Sequence, residues 1–215
     1  MDFGFSEEQE MLRASARELL AGECDMTYVR RMMDDNAGFS EDQWRKLAEL
    51  GWLGLVLPEQ HGGSGLDLID LVVVLEEMGK VVMPGPFFPT VVLAGIAIEL
   101  GGTAEQKQRY LPDIASGKLK ATLAHLEQSA RWDADGIQLE ARQSAGGYTL
   151  NGTKLFVPDI HNAGLVVVAA RTGGTGEAGV TLFLLDPKRD GAAVSLHQTL
   201  DQTRKLGALE LSNVA

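Results

Sequence analysis

The sequence predicts an α+β protein: an N-terminal all-α domain over residues 1–117, followed by an antiparallel β-barrel or sandwich over residues 118–215. Two observations carry this. Before Gly117, apolar residues recur at the 3.6-residue period of a helix, behind N-capping signatures. After it, short runs rich in Val, Leu and Thr alternate with turn residues, at the spacing of an all-β domain.

The elements follow in order. Ser6-Glu-Glu-Gln9 is a capping box, in which each side chain satisfies a backbone N–H that the first helical turn leaves free. Met11, Leu12, Ala16, Leu19 and Leu20 then mark one helical face. Ser40-Glu-Asp-Gln43 repeats the device ahead of Trp44, Leu47, Ala48 and Leu50, and Gly51 stands where a helix would stop. Thr103-Ala-Glu-Gln106 opens another helix, ending near Ser116-Gly117. Between them, Asp67–Met78 and Pro89–Leu100 are apolar on most sides, as buried helices are; Pro84 and Pro86 separate the two. The strand-like runs are Ala121–Leu126, Ile137–Ala141, Tyr148–Asn151, Lys154–Val157, Leu165–Ala170, Val180–Leu185, Ala192–Leu196 and Ala208–Leu211. Gly146-Gly147, Asn151-Gly152, Gly173–Gly176 and Asp190-Gly191 supply turns. Asn-Gly between two such runs predicts a hairpin, because both central positions of that turn need φ > 0.

The 215 residues are 45% hydrophobic and 23% charged, the balance of a folded core rather than of a disordered chain. The longest apolar runs, Leu71–Leu75 and Leu165–Ala170, fall far short of the roughly 18 residues a membrane helix needs, so no membrane span is expected. The acidic start, Met1–Glu10, lacks the basic region of a targeting leader. A lone Cys24 cannot form an internal disulfide, and a cytoplasmic location is the default. The net charge of −11 argues against nucleic acid as a partner. The charge is also local. Residues 1–117 carry 9 Lys and Arg against 20 Asp and Glu, whereas residues 118–215 are balanced. The acidic half is either a solvated helical surface or a docking face for a basic partner.

No catalytic constellation follows from spacing alone. Gly62-Gly63-Ser64-Gly65 lacks the spacing and the strand–turn–helix setting of a dinucleotide loop, and reads as a tight lead-in to a helix. Gly173-Gly-Thr-Gly176 reads as a hairpin tip rather than a phosphate cradle. His61, His125, His161 and His197 are scattered without metal-ligand spacing, so no metal site is expected. No Gly-x-Ser-x-Gly elbow is present.

Read in order, several strings resemble the acyl-CoA dehydrogenase family. They are Phe5-Ser-Glu-Glu-Gln-Glu-Met-Leu12, Lys46–Gly51, and Pro58-Glu59 followed by Gly62, Gly63 and Gly65. Glu76-Glu-Met-Gly79 follows, then Gly101 with Gln106-Lys107 and Tyr110-Leu-Pro112, then Asn151-Gly152-x-Lys154. The resemblance covers nearly the whole chain. It implies an N-terminal helical domain, a middle β-barrel and a C-terminal four-helix bundle, of which the first two match the periodicity found above. It also implies the α,β-dehydrogenation of an acyl-CoA thioester with FAD, with electrons passed to an electron-transfer flavoprotein. The flavin-contact positions it implies are Leu123, Leu126, Ser129, Phe156, Val157 and Pro158, with Trp132 as a wall of the acyl pocket.

The chain departs from the family's pattern at these positions. Glu127 and Asp133 keep the spacing of the family's Thr-Glu-Pro and Gly-Ser-Asp segment. However, Leu126 stands for the threonine, Gln128 for the proline, Arg131 for the glycine and Trp132 for the serine. Phe156-Val157-Pro158 stands for Trp-Ile-Thr. Leu126 has no hydroxyl, Arg131 adds bulk, and Pro158 has neither hydroxyl nor N–H. The family's catalytic glutamate sits in the C-terminal bundle, so no catalytic residue is assigned here. The chain is then expected to be a fragment, or a homo- or hetero-oligomeric subunit that another acyl-CoA dehydrogenase-like chain completes. The alternative is a non-catalytic partner with a degenerate flavin site. The tail Leu200-Asp-Gln-Thr-Arg204 resembles chains of steroid or other bulky acyl-CoA breakdown. Apolar helices without a covering bundle imply self-association or a partner.

Overall fold

A computed structural model describes residues 4–144 and 146–215. The acidic start read from the sequence lies partly on residues 1–3, outside the described residues. Six α-helices precede a seven-stranded sheet among the described residues.

Helix α1 (Glu7–Glu23) begins where the capping box put it. The Ser6 hydroxyl accepts the Gln9 N–H at 3.2 Å, and the Gln9 side chain accepts the Ser6 N–H at 3.1 Å. Helix α2 (Met26–Asp34), capped by Asp25, has no counterpart in the sequence reading. It spans nine residues and buries only Tyr28, Val29 and Met32, too few for a period to register. Helix α3 (Glu41–Glu49) starts at Ser40, and the indole N–H of Trp44 donates to the Gly117 carbonyl at 2.8 Å.

Helix α4 (Leu68–Lys80) is buried on one face only. Leu71, Val74 and Met78 enter the helical core, whereas Leu68, Ile69 and Val72 are exposed. The second apolar stretch is a π-helix, Phe88–Gly95, that runs into α5 (Ile96–Gly101). Helix α6 (Ala104–Ala115) opens on the Thr103 capping box.

Glu77 ties α1 to α4. It is 2% exposed and accepts from Arg17 at 2.9 Å and from Lys80 at 2.7 Å, with Arg13 at 3.8 Å. The Arg17 hydrogen bonds outweigh its burial and hold its carboxyl down to about 2.

The strands are β1 (Ala121–Ala124), β2 (Glu140–Ser144), β3 (Gly147–Pro158), β4 (Leu165–Arg171), β5 (Val180–Leu185), β6 (Ala192–Leu196) and β7 (Leu206–Val214). They form one curled sheet in the order β1-β4-β2-β3-β7-β6, with β5 on β4. Most pairs are antiparallel, as expected, but β1 pairs with β4 in parallel, Ala121 opposite Leu165, and β2 meets β4 in parallel at Glu140 and Arg171. Parallel neighbours need a long crossover, and between β1 and β4 the β2–β3 hairpin supplies it. Turn chemistry alone does not reveal such a crossover.

The hairpin expected at Asn151-Gly152 is not there. Strand β3 runs through it, and the register against β7 shifts between Leu150 and Gly152. Gly152 has φ 138°, and a Cβ there would meet Leu139 at 2.9 Å. The glycine serves a bulge and a close backbone approach rather than a turn. Gly62–Gly65 does form the compact lead-in to α4, and a Cβ on Gly63 would collide with the Leu57 carbonyl.

Strand β4 explains its own unbroken apolar run. Val166, Val168 and Ala170 point into the barrel core. Leu165 and Val167 point into a separate cluster with Leu57, Ile98, Leu111 and Ile114 of the helical half. Both faces are covered, as in strands without alternation.

If Glu77 clamps α1 to α4, Glu77→Gln lowers stability by about 1–2 kcal/mol at pH 7. The folded carboxyl is depressed below its ordinary 4.5, so its contribution is present above that pH and is lost as the pH falls toward 2. Urea unfolding of the two proteins at a series of pH values should therefore converge at acid pH.

Candidate functional site

The sheet meets the helices at β1 and the start of β4, and the β1 segment in turn lies against the end of β3. Two hydrogen bonds tie the β1 segment to the end of β3. The Leu155 N–H donates to the Leu126 carbonyl at 2.8 Å, and the Thr122 hydroxyl donates to the Pro158 carbonyl at 2.7 Å.

Beneath them lies a buried ion pair. Lys154 is fully buried and donates to the Glu127 carboxylate at 2.7 Å and to the His125 carbonyl at 3.0 Å. Glu127 also accepts the Gln138 and Leu139 N–H groups at 3.0 and 2.9 Å. Burial pushes the Lys154 ammonium below its ordinary value, and Glu127 opposes this. The pair locks the segment after β1 to the residues before β2 and to the middle of β3. Both residues stood out in the sequence, but their pairing across 27 positions did not.

The sequence-derived positions fall into two groups. Leu123 is half-buried against the cluster between the two halves, and Val157 lies in the barrel core, where it could offer a ligand only backbone. Leu126 is half-buried and Ser129 exposed. Phe156 is 48% exposed and leans on His197, ring centroids 5.2 Å apart, at a backbone φ of 53°. Pro158 is half-buried. Trp132 is 75% exposed and stacks on His125, whose ring nitrogen meets the Trp132 carbonyl at 3.1 Å. Arg131 is held by Asp133 at 2.9 Å. Leu126, Ser129 and Trp132 share one loop, and the chain ties above hold it beside Phe156 and Pro158.

Next to Pro158 a cavity of about 390 Å³ opens between α4, the π-helix and the start of β7. This is within the size range of small-molecule sites. Its walls are mostly apolar, with Leu75, Met78, Met83, Phe87 and Leu206 among them. Trp132 is not one of the lining residues.

Asp159 is, and the sequence reading missed it, since an aspartate after a proline reads as a turn. It is 4% exposed at φ 48°. Burial raises its carboxyl from 3.8 to about 7, against the pull of Arg204, Asn162 and Lys205. Lys205 is engaged elsewhere: its ammonium donates to the Met33 carbonyl at 2.6 Å.

The comparisons with known proteins define the class. The acyl-CoA dehydrogenase N-terminal domain matches residues 6–118, and the middle domain matches residues 122–214. The chain belongs to the acyl-CoA dehydrogenase family. Among its relatives is the acryloyl-CoA reductase (NADH) of Anaerotignum propionicum, 34% identical over 175 residues, which are 80% of this chain and 44% of the relative. A probable acyl-CoA dehydrogenase of Bacillus subtilis is 32% identical, over 80% of this chain and 46% of the relative. The chain thus spans about half the length of the curated relatives it matches. Among solved structures, the ChsE4-ChsE5 complex from Mycobacterium tuberculosis superposes with a TM-score of 0.88 at 27% identity, covering 100% of this chain and 56% of that one. A variant of the Tcur3481-Tcur3483 steroid ACAD superposes at 0.84 with 34% identity, over 97% of this chain and 55% of that one. Among the described residues, no helix is long and apolar enough to cross a membrane, and no cluster of His, Cys, Asp or Glu could hold a metal.

The resemblance implies FAD, and at the positions it implies for the isoalloxazine edge the side chains do not fit. Leu126 and Pro158 have nothing to donate. The Thr122 hydroxyl is committed to Pro158, and the Phe156 N–H faces His197 at 3.5 Å. The Phe156 ring could cover a flavin face, but recognition of the polar edge would have to come from backbone or from another chain.

Two predictions follow from the geometry. Lys154→Met leaves Glu127 without its ammonium and costs about 3 kcal/mol, measured by urea unfolding. Asp159→Asn raises the melting temperature above pH 7 and gives no gain below pH 4. The folded acid titrates near 7 and the unfolded one near 3.8, so the cost of ionising it sets in as the pH rises through that window.

Proposed function

We propose that this chain is a subunit of an acyl-CoA dehydrogenase-type oxidoreductase assembly. The reaction in this reading is the α,β-dehydrogenation of an acyl-CoA thioester, with FAD held in the assembly and electrons leaving to an electron-transfer flavoprotein. The observation that carries it is the apolar cavity beside Phe156–Pro158, walled by α4, the π-helix and the sheet together. It is of ligand size, it is mostly apolar, and it opens where the family's flavin-contact strands end. The chain's own part is to wall the acyl group and to exclude water from it. The exposed Leu68, Ile69 and Val72 of α4 support a covering partner, as does the heteromeric make-up of the ChsE4-ChsE5 relative. The Caffeyl-CoA reductase-Etf relative, 30% identical, supports the electron-transfer partner. A lone buried Cys24 suits a cytoplasmic setting.

A second reading, in which this subunit is the non-catalytic one, is favoured by Leu126, Arg131, Trp132 and Pro158. There the partner holds the flavin and the base. Purifying the chain alone and co-expressed with its genomic neighbour separates the readings. We expect a colourless chain alone and a yellow complex that bleaches on adding acyl-CoA. A yellow solo protein that bleaches with acyl-CoA would overturn the partner role. A colourless complex that ignores acyl-CoA would overturn the assembly.

A further inference from the structure

We infer that Asp159 is a specificity residue for an oxygenated acyl group: its carboxyl hydrogen-bonds a ketone or hydroxyl borne on the otherwise apolar body of the ligand that fills the cavity beside Pro158. The inference rests on the acyl-site reading above and adds to it the class of acyl group.

Three observations support it. First, Asp159 lines the cavity and is 4% exposed, so its carboxyl is turned to the protein's interior space rather than to bulk solvent. Second, the wall is mostly apolar, and only Arg204 and Lys205 of the lining, with Asn162 beside it, act on the carboxyl. The neighbours Leu75, Met78, Met83, Phe87 and Leu206 carry no polar side-chain partner apart from weak thioether sulfurs. Lys205 spends its ammonium on the Met33 carbonyl, and Arg204 is exposed. Asn162, the amide beside Asp159, hydrogen-bonds its carboxyl and also donates to the Ala37 carbonyl at 2.8 Å, so the one polar side chain that bonds the acid is shared. Third, the backbone does not require an acid. The φ of 48° asks for Gly, Asn or Asp, and either neutral residue would meet it without bringing an ionisable group into an apolar wall. A buried polar group without full hydrogen bonding is costly, and a ligand oxygen would relieve that cost.

The chemistry is symmetric in a useful way. Protonated, the carboxyl donates to a ketone; ionised, it accepts from a hydroxyl. A purely hydrocarbon chain would leave it unmatched, and sites built to bond an oxygen reject analogues that lack it.

The test uses the full chain and two probes of equal length, decanoyl-CoA and an oxodecanoyl-CoA with its ketone in the distal half, titrated by calorimetry. The wild type should prefer the oxo probe by roughly fivefold. Asp159→Asn, which keeps a donor and the left-handed backbone, should retain the preference. Asp159→Gly, which keeps only the backbone, should lose it, the two probes then binding alike. Gly79→Phe, which fills the cavity from α4, should abolish binding of both. No preference in the wild type, or a preference that survives in Asp159→Gly, overturns the inference and leaves the acyl site standing. Binding of neither probe, or binding untouched by Gly79→Phe, overturns the acyl site and the inference together.

Discussion

The buried Lys154–Glu127 pair is the constraint on which the site depends. A fully buried ammonium is tolerable only when its donors are met, and here a carboxylate and the His125 carbonyl meet them. Glu127 in turn collects two backbone N–H groups from the approach to β2. Three stretches of chain, distant in sequence, are thereby fixed to one point. The loop that carries Leu126, Ser129 and Trp132 leaves from that point, and Phe156–Pro158 ends the strand that carries the lysine. Such a pair contributes less to net stability than to uniqueness, because any other register would strand a charge in the barrel core.

The second constraint is the seam between helices and sheet. Strand β4 is apolar on both faces because one face completes the barrel and the other closes on Leu57, Ile98, Leu111 and Ile114. Polar contacts then set the angle of the two halves. The Thr90 hydroxyl donates to the Ala121 carbonyl and accepts its N–H, both fully buried. His161 and Asn162 both reach the Ala37 carbonyl, and Lys205 reaches Met33. The cavity lies between these ties, so its shape is set by elements that cannot slide independently.

Most of the fold was legible in the sequence because capping is local. Ser6, Ser40 and Thr103 announced their helices through residues three positions away, and the structure places all three caps there. What was not legible depends on distant contacts. Asn151-Gly152 has the chemistry of a hairpin turn, but Leu139 packs so close that the glycine serves a bulge instead. The parallel β1–β4 pair is invisible to turn residues. At the site, the flavin-contact positions came from family spacing, whereas Asp159 became a candidate only when burial and the cavity were known.

Backbone strain points to the same end of the molecule. Among the described residues, the non-glycine positions with φ > 0 are Val82, Ala130, Phe156, Asp159 and Asn213. Ala130 is in the loop after β1, Phe156 and Asp159 bracket Pro158, and Val82 precedes the cavity-lining Met83. Asp tolerates the left-handed region, but Phe and β-branched Val do so only at a cost of about 1–2 kcal/mol each. Nothing in the local sequence favours these conformations at Val82, Ala130 and Phe156. They persist because the ion pair, the Leu126–Leu155 bond and the seam over-determine the chain around them, and strain held in this way is characteristic of sites that must present a fixed surface. Phe156 is the clearest case. The left-handed turn sits within the register shift between Lys154 and Val157, and it places a half-exposed ring outside while Val157 returns to the barrel core. Without that turn, strand alternation from buried Lys154 would point Phe156 into the core and Val157 out of it, so the turn is what re-aims both side chains.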